Sequence, residues 1–364
     1  MAFSDFPSRQ DSIAVLYLAR KAEGIDAFRS FIQSYITYPA GIEHDLVVIF
    51  KGYEGEEDLK SARAEFALLT YISIELPDEG FDLGSYLETA KNLTHEYICC
   101  FNTFSKILST DWLKKFYSHI VQPNVGIVGA TGSYEGMQTS ITLIQKVIWL
   151  SSQLTIDEKE RARLEKYFSF IFSPSSDPIK KKNSVLSACK QQIKSAIKNT
   201  LLWQKPCNLE QQYEKWWEKT QKIGDIAALC TLPPFPNPHI RSNAFMTKRN
   251  RFLTFVRKPF ITKINACHFE SGPEGMTQQV LRAGLHARIV GKNGTGYDVE
   301  NWSSSATFRL DDQSNLLIAD NQTLFFTRAD EDTRLIHTWT SWGEESLLFP
   351  KDFPILGIKI KREF

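Results

Sequence analysis

Charged and polar side chains follow four apolar runs near the start of this 364-residue chain. In chain order they are Arg20, Lys51, Asp82, Asn102 and Ser105. In an open parallel sheet, ligands bind outside the carboxyl ends of the strands, so these residues are candidates for one shared ligand site. For Asn102 and Ser105, turn formation and helix capping are an equally good explanation, and the sequence leaves both open.

The runs that precede these residues are short and continuously apolar, as expected of strands covered by helices on both faces. Strands are predicted at 13–19, 45–50, 72–76, 97–101 and 125–128, and helices at 25–36, 56–68 and 111–121. Strand and helix signals alternate along this part of the chain. The alternation predicts an α/β fold with a doubly wound, mostly parallel sheet.

The character of the sequence changes after residue 136. No glycine occurs between Gly136 and Gly224, and helix-compatible residues dominate this stretch. A proline-rich connection at 233–243 is then followed by sequence with both helix and strand signals. We therefore predict four parts: a first α/β half at 1–136, a helical insertion at 137–232, a second half at 233–300 and an α+β C-terminal extension at 301–364.

Composition excludes several classes of protein. Lysine plus arginine number 43 and aspartate plus glutamate 42, so the net charge of +1 gives no support to nucleic-acid binding by bulk charge. The N-terminal residues lack the apolar region of a secretory signal, and the six cysteines are scattered without CxxC spacing. We therefore expect a cytoplasmic protein with reduced thiols.

One basic stretch stands out within the predicted insertion. Residues 178–209 contain seven lysines and no acidic residue, with an apolar helical stripe beside the lysine ridge. Such a helix fits peripheral contact with the inner face of an anionic membrane. The alternative is a helix packed on its own domain with a solvated lysine face, and we favour it because most amphipathic helices are half buried.

Four consecutive motifs carry a resemblance to a known family. They are, in order, GFDLGSYLETAKN, EYICCFNTFS, DWLKKFYSHI and NVGIVGATGS. Together they resemble the nucleotide-sugar-binding half of family-2-type glycosyltransferases with the GT-A fold, closely over 13–133 and loosely over 240–290. The segments FNTFSKIL, FESG and LLIADNQT also resemble uncharacterised bacterial proteins of surface-polysaccharide gene clusters. The resemblance implies a nucleotide-sugar donor bound by 1–136 and an acceptor side formed by 233–300.

The chain departs from the family pattern after the fourth predicted strand. There the family carries an aspartate that binds a divalent metal bridging the donor's diphosphate. Alignment of the motifs places Asn102 at its first position and Phe104 at the metal ligand, and phenylalanine cannot coordinate a hard cation. Lys51 stands where many relatives carry an aspartate. The resemblance then implies either metal-independent transfer, with Arg20, Lys51 or backbone amides neutralising the diphosphate, or a site that no longer does chemistry. We favour the first, with no certain cofactor, and assign the strand-end residues together with Arg241 to the donor.

The candidate catalytic carboxylate lies in the segment CHFESGPEGMTQQVLRAGLHARIV. In the family, an acidic residue just before a helix that is followed by glycine and a strand is the general base. Glu270 fits that position, before a predicted helix at 275–283, and Glu274 is the second choice. The alternative role for Glu270 is a carboxylate that favours the N-terminal dipole of this helix.

Arg241 precedes this segment and alternates with His239 and Asn243, which predicts that the three share one face of a strand. The planar guanidinium of Arg241 is suited to bind a donor phosphate through two hydrogen bonds. A surface ion pair is an equally good explanation for this residue.

A further group of polar residues surrounds an aromatic one in the C-terminal region. Trp302, Asp320 and Asn321 combine a stacking ring with carboxylate and amide groups, which is how proteins bind sugars. They form a candidate acceptor subsite. The alternative for the Asp-Asn pair is a structural turn.

These inferences predict an inverting glycosyltransferase that moves a sugar from a nucleotide sugar to a surface-polysaccharide or lipid-linked glycan. The alternative is a non-catalytic glycan-binding or scaffold protein on a degenerate GT-A domain. A nucleotidyltransferase ranks last, because such enzymes need acidic metal ligands that the chain lacks at the expected place.

Overall fold

The structure is a computed structural model that describes residues 12–142, 145, 149, 209–222 and 224–343. Its strands are β1 Ile13–Arg20, β2 Asp45–Lys51, β3 Ile72–Leu76, β4 Tyr97–Phe101, β5 Lys106–Ile107, β6 Val125–Gly129, β7 Gly132–Ser133, β8 His239–Ile240, β9 Ala244–Lys248, β10 His286–Val290, β11 Gly296–Tyr297 and β12 Ile318–Ala319. Eight of these form one sheet in the order β11-β10-β6-β9-β4-β1-β2-β3. Strands β3, β2, β1 and β4 pair in parallel, as do β6 and β10. The predicted α/β fold with a mostly parallel sheet is confirmed.

The helices follow the strands in the predicted alternation. They are α1 Ile25–Thr37, α2 Glu56–Glu65, α3 Phe81–Lys91, α4 Trp112–Ile120, α5 Leu209–Thr220, α6 Gly224–Leu229, α7 Arg249–Thr254, α8 Lys263–Ser271, α9 Met276–Arg282, α10 Asn321–Arg328 and α11 Glu331–Trp342, with short 3-10 helices at Lys21–Glu23 and Val299–Ser304. The helix predicted at 56–68 ends at Glu65, where the chain turns toward β3.

Both faces of the sheet are buried, which explains the uninterrupted apolar runs. In β1, Val15 and Tyr17 pack on one side with α1, where the rings of Tyr17 and Phe31 stack at 3.7 Å. Leu16 and Leu18 pack on the other side. Helices on both faces are the defining feature of a doubly wound sheet.

The sheet joins residues from both sides of the predicted insertion. Strand β9, which follows the insertion, runs antiparallel between β4 and β6. It hydrogen-bonds from Tyr97 to Phe101 on one side and from Ile127 to Gly129 on the other. The first and second α/β halves therefore share one sheet.

The predicted insertion is described in part. Helices α5 and α6 lie within it, while the basic stretch falls outside the described residues except for Leu209. Within the described residues, every helix is too short or too polar to cross a bilayer. The C-terminal part folds back on the first half through antiparallel pairing of β12 with β5. The four domain boundaries and the membrane contact of residues 178–209 stay predictions.

Candidate active site

A cavity of about 1360 Å³ opens at the carboxyl edge of the parallel strands. Its walls include eight residues predicted to bind or react: Arg20, Lys51, Asp82, Asn102, Arg241, Glu270, Asp320 and Asn321. The ends of β1 and β2, the start of α3 and the inner side of α8 all border it. Residues spread over 300 positions of the chain thus meet in one place.

Arg20 ends β1 and is held by two carboxylates. Its Nε and Nη2 donate to both oxygens of Asp78 at 2.8 Å, and its Nη1 donates to Glu23 at 2.9 Å. The bidentate bond with Asp78 raises the pKa of Arg20 above its ordinary value and lowers the pKa of Asp78. Since both carboxylates already engage its guanidinium, Arg20 is a positioned cation and not a free one.

Lys51 ends β2 and lies beneath the cavity, with only 1% of its side chain exposed. Its Nζ donates to the carbonyl of Phe81 at 2.7 Å and lies 3.9 Å from Asp78 Oδ1. Burial lowers the pKa of Lys51, and the charges of Asp82 and Asp78 oppose that shift. The arrangement places a positive charge under the first turn of α3.

Asp82 lies in that first turn, and the residue is partly exposed. Burial raises its pKa, Lys51 and Arg20 oppose the rise, and the nearby Glu23 and Glu270 add to it. Among the described residues, no hydrogen bond or ion pair involves its carboxylate, which is therefore available to a ligand in the cavity. No side chain caps α3, so the N–H groups of its first turn are also available.

Asn102 and Ser105 form a turn after β4. Asn102 Oδ1 accepts from the Phe104 backbone N–H at 3.1 Å and from Ser105 Oγ at 3.0 Å. Ser105 is fully buried and also donates to the Asn243 carbonyl, so it does not border the cavity. Asn102 and Phe104 do border it. Turn formation, the alternative role considered for Asn102 and Ser105, therefore accounts for their hydrogen bonds. Ser105 lies behind the cavity wall and supports it there.

Glu270 also borders the cavity, near the C-terminal end of α8. Glu270 precedes α9, as expected, but it lies within a helix, α8, that the sequence analysis did not predict. Its Oε1 accepts from the Ser242 backbone N–H at 2.6 Å, which orients the carboxylate and leaves Oε2 for a ligand. Glu274 lies outside the cavity wall and pairs with Arg282.

Arg241 lies in the turn between β8 and β9 and not on a strand, so the predicted shared strand face with His239 and Asn243 is wrong. Its Nη2 is 3.0 Å from Asp320 Oδ2, and its guanidinium lies 4.4 Å from the Phe308 ring centre. Since Asp320 is 1% exposed, this is a buried ion pair and not the surface pair considered above. Arg241 Nη1 is buried without a hydrogen-bond partner.

Two of the three predicted acceptor residues border the cavity and the third does not. Asp320 caps α10 by accepting from the Thr323 N–H at 2.8 Å, and Asn321 follows it on the cavity wall. Trp302 is fully buried, donates to the Tyr297 carbonyl and stacks under Tyr134. A ring without an exposed face cannot stack on a sugar, so Trp302 is a core residue.

Two residues of the site were not assigned to it from the sequence. Asp78, which holds Arg20, follows β3 and was identifiable by the same strand-end argument as its neighbours. Asn243 is 2% exposed and borders the cavity, with Oδ1 accepting from Thr131 and Nδ2 left without a partner. Its contribution depends on the turn before β9, which carried no clear sequence signal.

A divalent metal fits this site poorly. Among the described residues, no three histidine, cysteine, aspartate or glutamate side chains form a group that suits a metal ion. Asn102 Oδ1 is engaged in its turn, and Phe104 presents a ring where an oxygen ligand is needed. The cations of Arg20 and Lys51 occupy the strand ends instead. We therefore derive no step through a metal.

Comparison with known proteins gives partial structural similarity. No family model matches the chain, and no curated protein matches it. Core-mannan synthase A from Aspergillus fumigatus in its Mn/GDP form aligns with 80% of this chain and 77% of its own, at 9% identity and a TM-score of 0.35. Mannosyltransferase PcManGT from Pyrobaculum calidifontis, in complex with GDP-Man and Mn²⁺, aligns over 41% and 42% at 11% identity and a TM-score of 0.28. A 4-diphosphocytidyl-2C-methyl-D-erythritol synthase from Anaerococcus prevotii aligns over 34% and 56%, at 10% identity and a TM-score of 0.27.

The chain thus spans about half of the length of two of these three proteins. The α/β fold itself rests on the sheet order and strand directions given above.

Proposed function

We propose that this protein is a glycosyltransferase that moves a sugar from a nucleotide-sugar donor to a glycan or lipid-linked glycan acceptor. The observation that carries the proposal is the pair of carboxylates, Glu270 and Asp82, that border one cavity of about 1360 Å³ at the carboxyl edge of the sheet. Such a cavity is large enough for a small-molecule donor with part of an acceptor. The resemblance of residues 13–133 to family-2-type glycosyltransferases supports the same class.

Glu270 acts as general base in this proposal. The acceptor hydroxyl oxygen forms a bond to the anomeric carbon, its proton moves to Glu270 Oε2, and the bond from that carbon to the diphosphate breaks. The bonding electrons leave with the nucleoside diphosphate, and the anomeric configuration inverts. The hydrogen bond from Ser242 to Oε1 supports this role, because it fixes the orientation of the base.

The donor lies against the part of the cavity formed by the first turn of α3 and the end of β2. The uncapped first turn of α3 offers N–H donors to the diphosphate, and the buried charge of Lys51 favours an anion above it. Asp82 accepts hydrogen bonds from hydroxyl groups of the donor. Arg20 acts indirectly by holding Asp78, and Arg241 with Asp320 shapes the remote end of the cavity. This set supports binding that does not depend on a metal.

Ligand-induced thermal stabilisation tests the proposal. The protein is heated with a panel of nucleotide sugars, nucleotides and nucleoside triphosphates, once with chelator and once with manganese. A ligand at 100 times its Kd stabilises the fold by about 2.7 kcal/mol. We expect at least one nucleotide sugar to raise the melting temperature in chelator.

Three results would contradict parts of this proposal. Stabilisation by no nucleotide sugar removes the donor site altogether. Stabilisation by nucleoside triphosphates alone favours a nucleotidyltransferase. Binding of a nucleotide sugar without release of nucleoside diphosphate favours a non-catalytic binding protein.

A further inference from the structure

The segment from the end of α7 to the first residue of α8, residues 255–263, forms one lip of the cavity mouth. Its sequence, FVRKPFITK, contains three cations and no acidic residue. Val256 and Ile261 are 68% and 80% exposed. They are two of the five most exposed large apolar side chains in the part of the chain that the structure describes. The cationic lip, as we call residues 255–263, thus combines exposed apolar side chains with three cations and no acidic residue of its own. Glu88 on α3 faces Arg257, so Lys258 and Lys263 are the cations left for a partner.

The exposure of these side chains is enforced by the fold. Gln279 on α9 accepts from the Val256 N–H at 2.8 Å and donates to the Val256 carbonyl at 2.8 Å. The neighbouring Phe255 is buried, and the ring of Phe260 packs 5.3 Å from that of Phe269. The aromatic residues anchor the lip in the core while Val256 and Ile261 remain in solvent.

The lip packs against α3 at Gly84. A Cβ at this glycine would lie 3.4 Å from the Phe260 ring, an ordinary van der Waals distance, so the ring rests directly on the helix surface. The lip is therefore fixed to the same helix that carries Asp82. Whatever binds the lip is held beside the cavity mouth.

We propose that the cationic lip docks the cavity mouth on the anionic surface of a lipid bilayer. Lys258 and Lys263 are exposed and suited to pair with anionic headgroups, while Val256 and Ile261 enter the boundary between headgroups and acyl chains. An acidic protein surface would match the same charges, and the test below distinguishes it from a bilayer. The docked orientation brings a membrane-borne molecule to the cavity.

Co-sedimentation of the full chain with vesicles tests this docking. Vesicles of phosphatidylcholine alone are compared with vesicles of phosphatidylcholine mixed with the anionic lipid phosphatidylglycerol, which attracts basic segments. We expect binding to the anionic vesicles that falls with added salt. Each lysine near an anionic surface adds about fivefold to the binding constant, so K258Q with K263Q weakens binding roughly 25-fold.

Matched variants separate the lip from other surfaces. V256S with I261S is expected to weaken binding on the order of tenfold, since both apolar side chains leave the interface. Leu68→Ser, at a residue that is 85% exposed away from the cavity wall, is expected to change nothing. Melting temperatures of all variants establish that they fold.

The proposal is overturned if the protein does not bind anionic vesicles, or if both double variants of the lip bind them as the wild type does. It is also overturned if binding disappears only when Lys180, Lys181 and Lys182 of the basic stretch become glutamine. Capture of an acidic protein without vesicle binding points to a protein partner and equally contradicts the proposal. None of these measurements requires a nucleotide sugar, so they stand apart from the test of transfer.

Discussion

The backbone N–H of Ser242 donates to Glu270 Oε1 at 2.6 Å, and this bond joins α8 to the turn before β9. That turn also carries Arg241, whose ion pair with Asp320 reaches the start of α10. Three segments that are distant in sequence are therefore fixed around one carboxylate. A base held in this way needs no rearrangement before it accepts a proton.

Replacement of Asp82 by asparagine is expected to have opposite effects on ligand binding and on stability. The charged acceptor is lost, so donor binding weakens roughly 10- to 100-fold, as expected for a hydrogen bond worth about 1.5–3 kcal/mol. Titration calorimetry with the donor identified above measures this loss. An unchanged Kd would remove Asp82 from the donor site.

The stability of the same variant depends on pH in a defined direction. Burial raises the pKa of Asp82 in the folded state above its ordinary value of 3.8, so ionisation of this carboxyl opposes folding. The opposition is absent well below pH 3.8 and develops as the pH rises through the folded pKa. Asp82→Asn should therefore unfold at higher urea than the wild type at pH 7, and the two should converge near pH 3. A less stable variant at pH 7 would contradict this account of the site.

The buried ion pair of Arg241 with Asp320 is expected to matter more than an exposed one. Arg241→Ala leaves a carboxylate that is 1% exposed without its partner, at a cost of about 3 kcal/mol or more. Arg282→Ala is the matched control, because its pair with Glu274 is more than half exposed on both sides and is worth less than about 1 kcal/mol. Urea unfolding of both variants gives the comparison. Equal losses would mean that burial of the first pair carries no energetic consequence.

His337 is expected to set much of the acid sensitivity of the fold. It is 3% exposed, and burial together with the charge of Arg309 lowers its pKa to about 2. Below pH 6.5 the unfolded chain binds a proton that the folded chain does not, so stability falls as the pH decreases. At pH 5 the loss from this residue is about 2 kcal/mol. The unfolding free energy of His337→Gln should decline less than that of the wild type between pH 7 and pH 5, whatever its absolute value, and parallel declines would contradict the prediction.

Much of the sheet was accessible from the sequence because its signal is local. Runs such as Ile13–Ala19 are buried on both faces, and continuous apolarity is the direct consequence. The same argument led to Arg20, Lys51 and Asp82, since residues after parallel strands gather at one edge.

The features of the fold and of the site that the sequence did not predict depend on contacts between distant segments. Strand β9 pairs antiparallel with β4 and β6, and nothing in its own residues specifies those neighbours. Trp302 is buried because distant segments cover it: Tyr134 stacks on its ring, and Gly132 packs so close that a Cβ there would lie 3.0 Å from the ring. Helix α8 carries an apolar stripe too weak to reveal it, so Glu270 was expected outside a helix.

Release of nucleoside diphosphate from the stabilising nucleotide sugar, measured in chelator for the wild type and for Glu270→Gln, tests the central claim most directly. Glu274→Gln is the matched control, because Glu274 is 63% exposed and lies outside the cavity wall. We predict that Glu270→Gln binds the donor as the wild type does and releases product about 10²- to 10⁴-fold more slowly, while Glu274→Gln keeps the full rate. Equal rates for Glu270→Gln and the wild type, or loss of activity in Glu274→Gln alone, would contradict the assignment of Glu270 as the base.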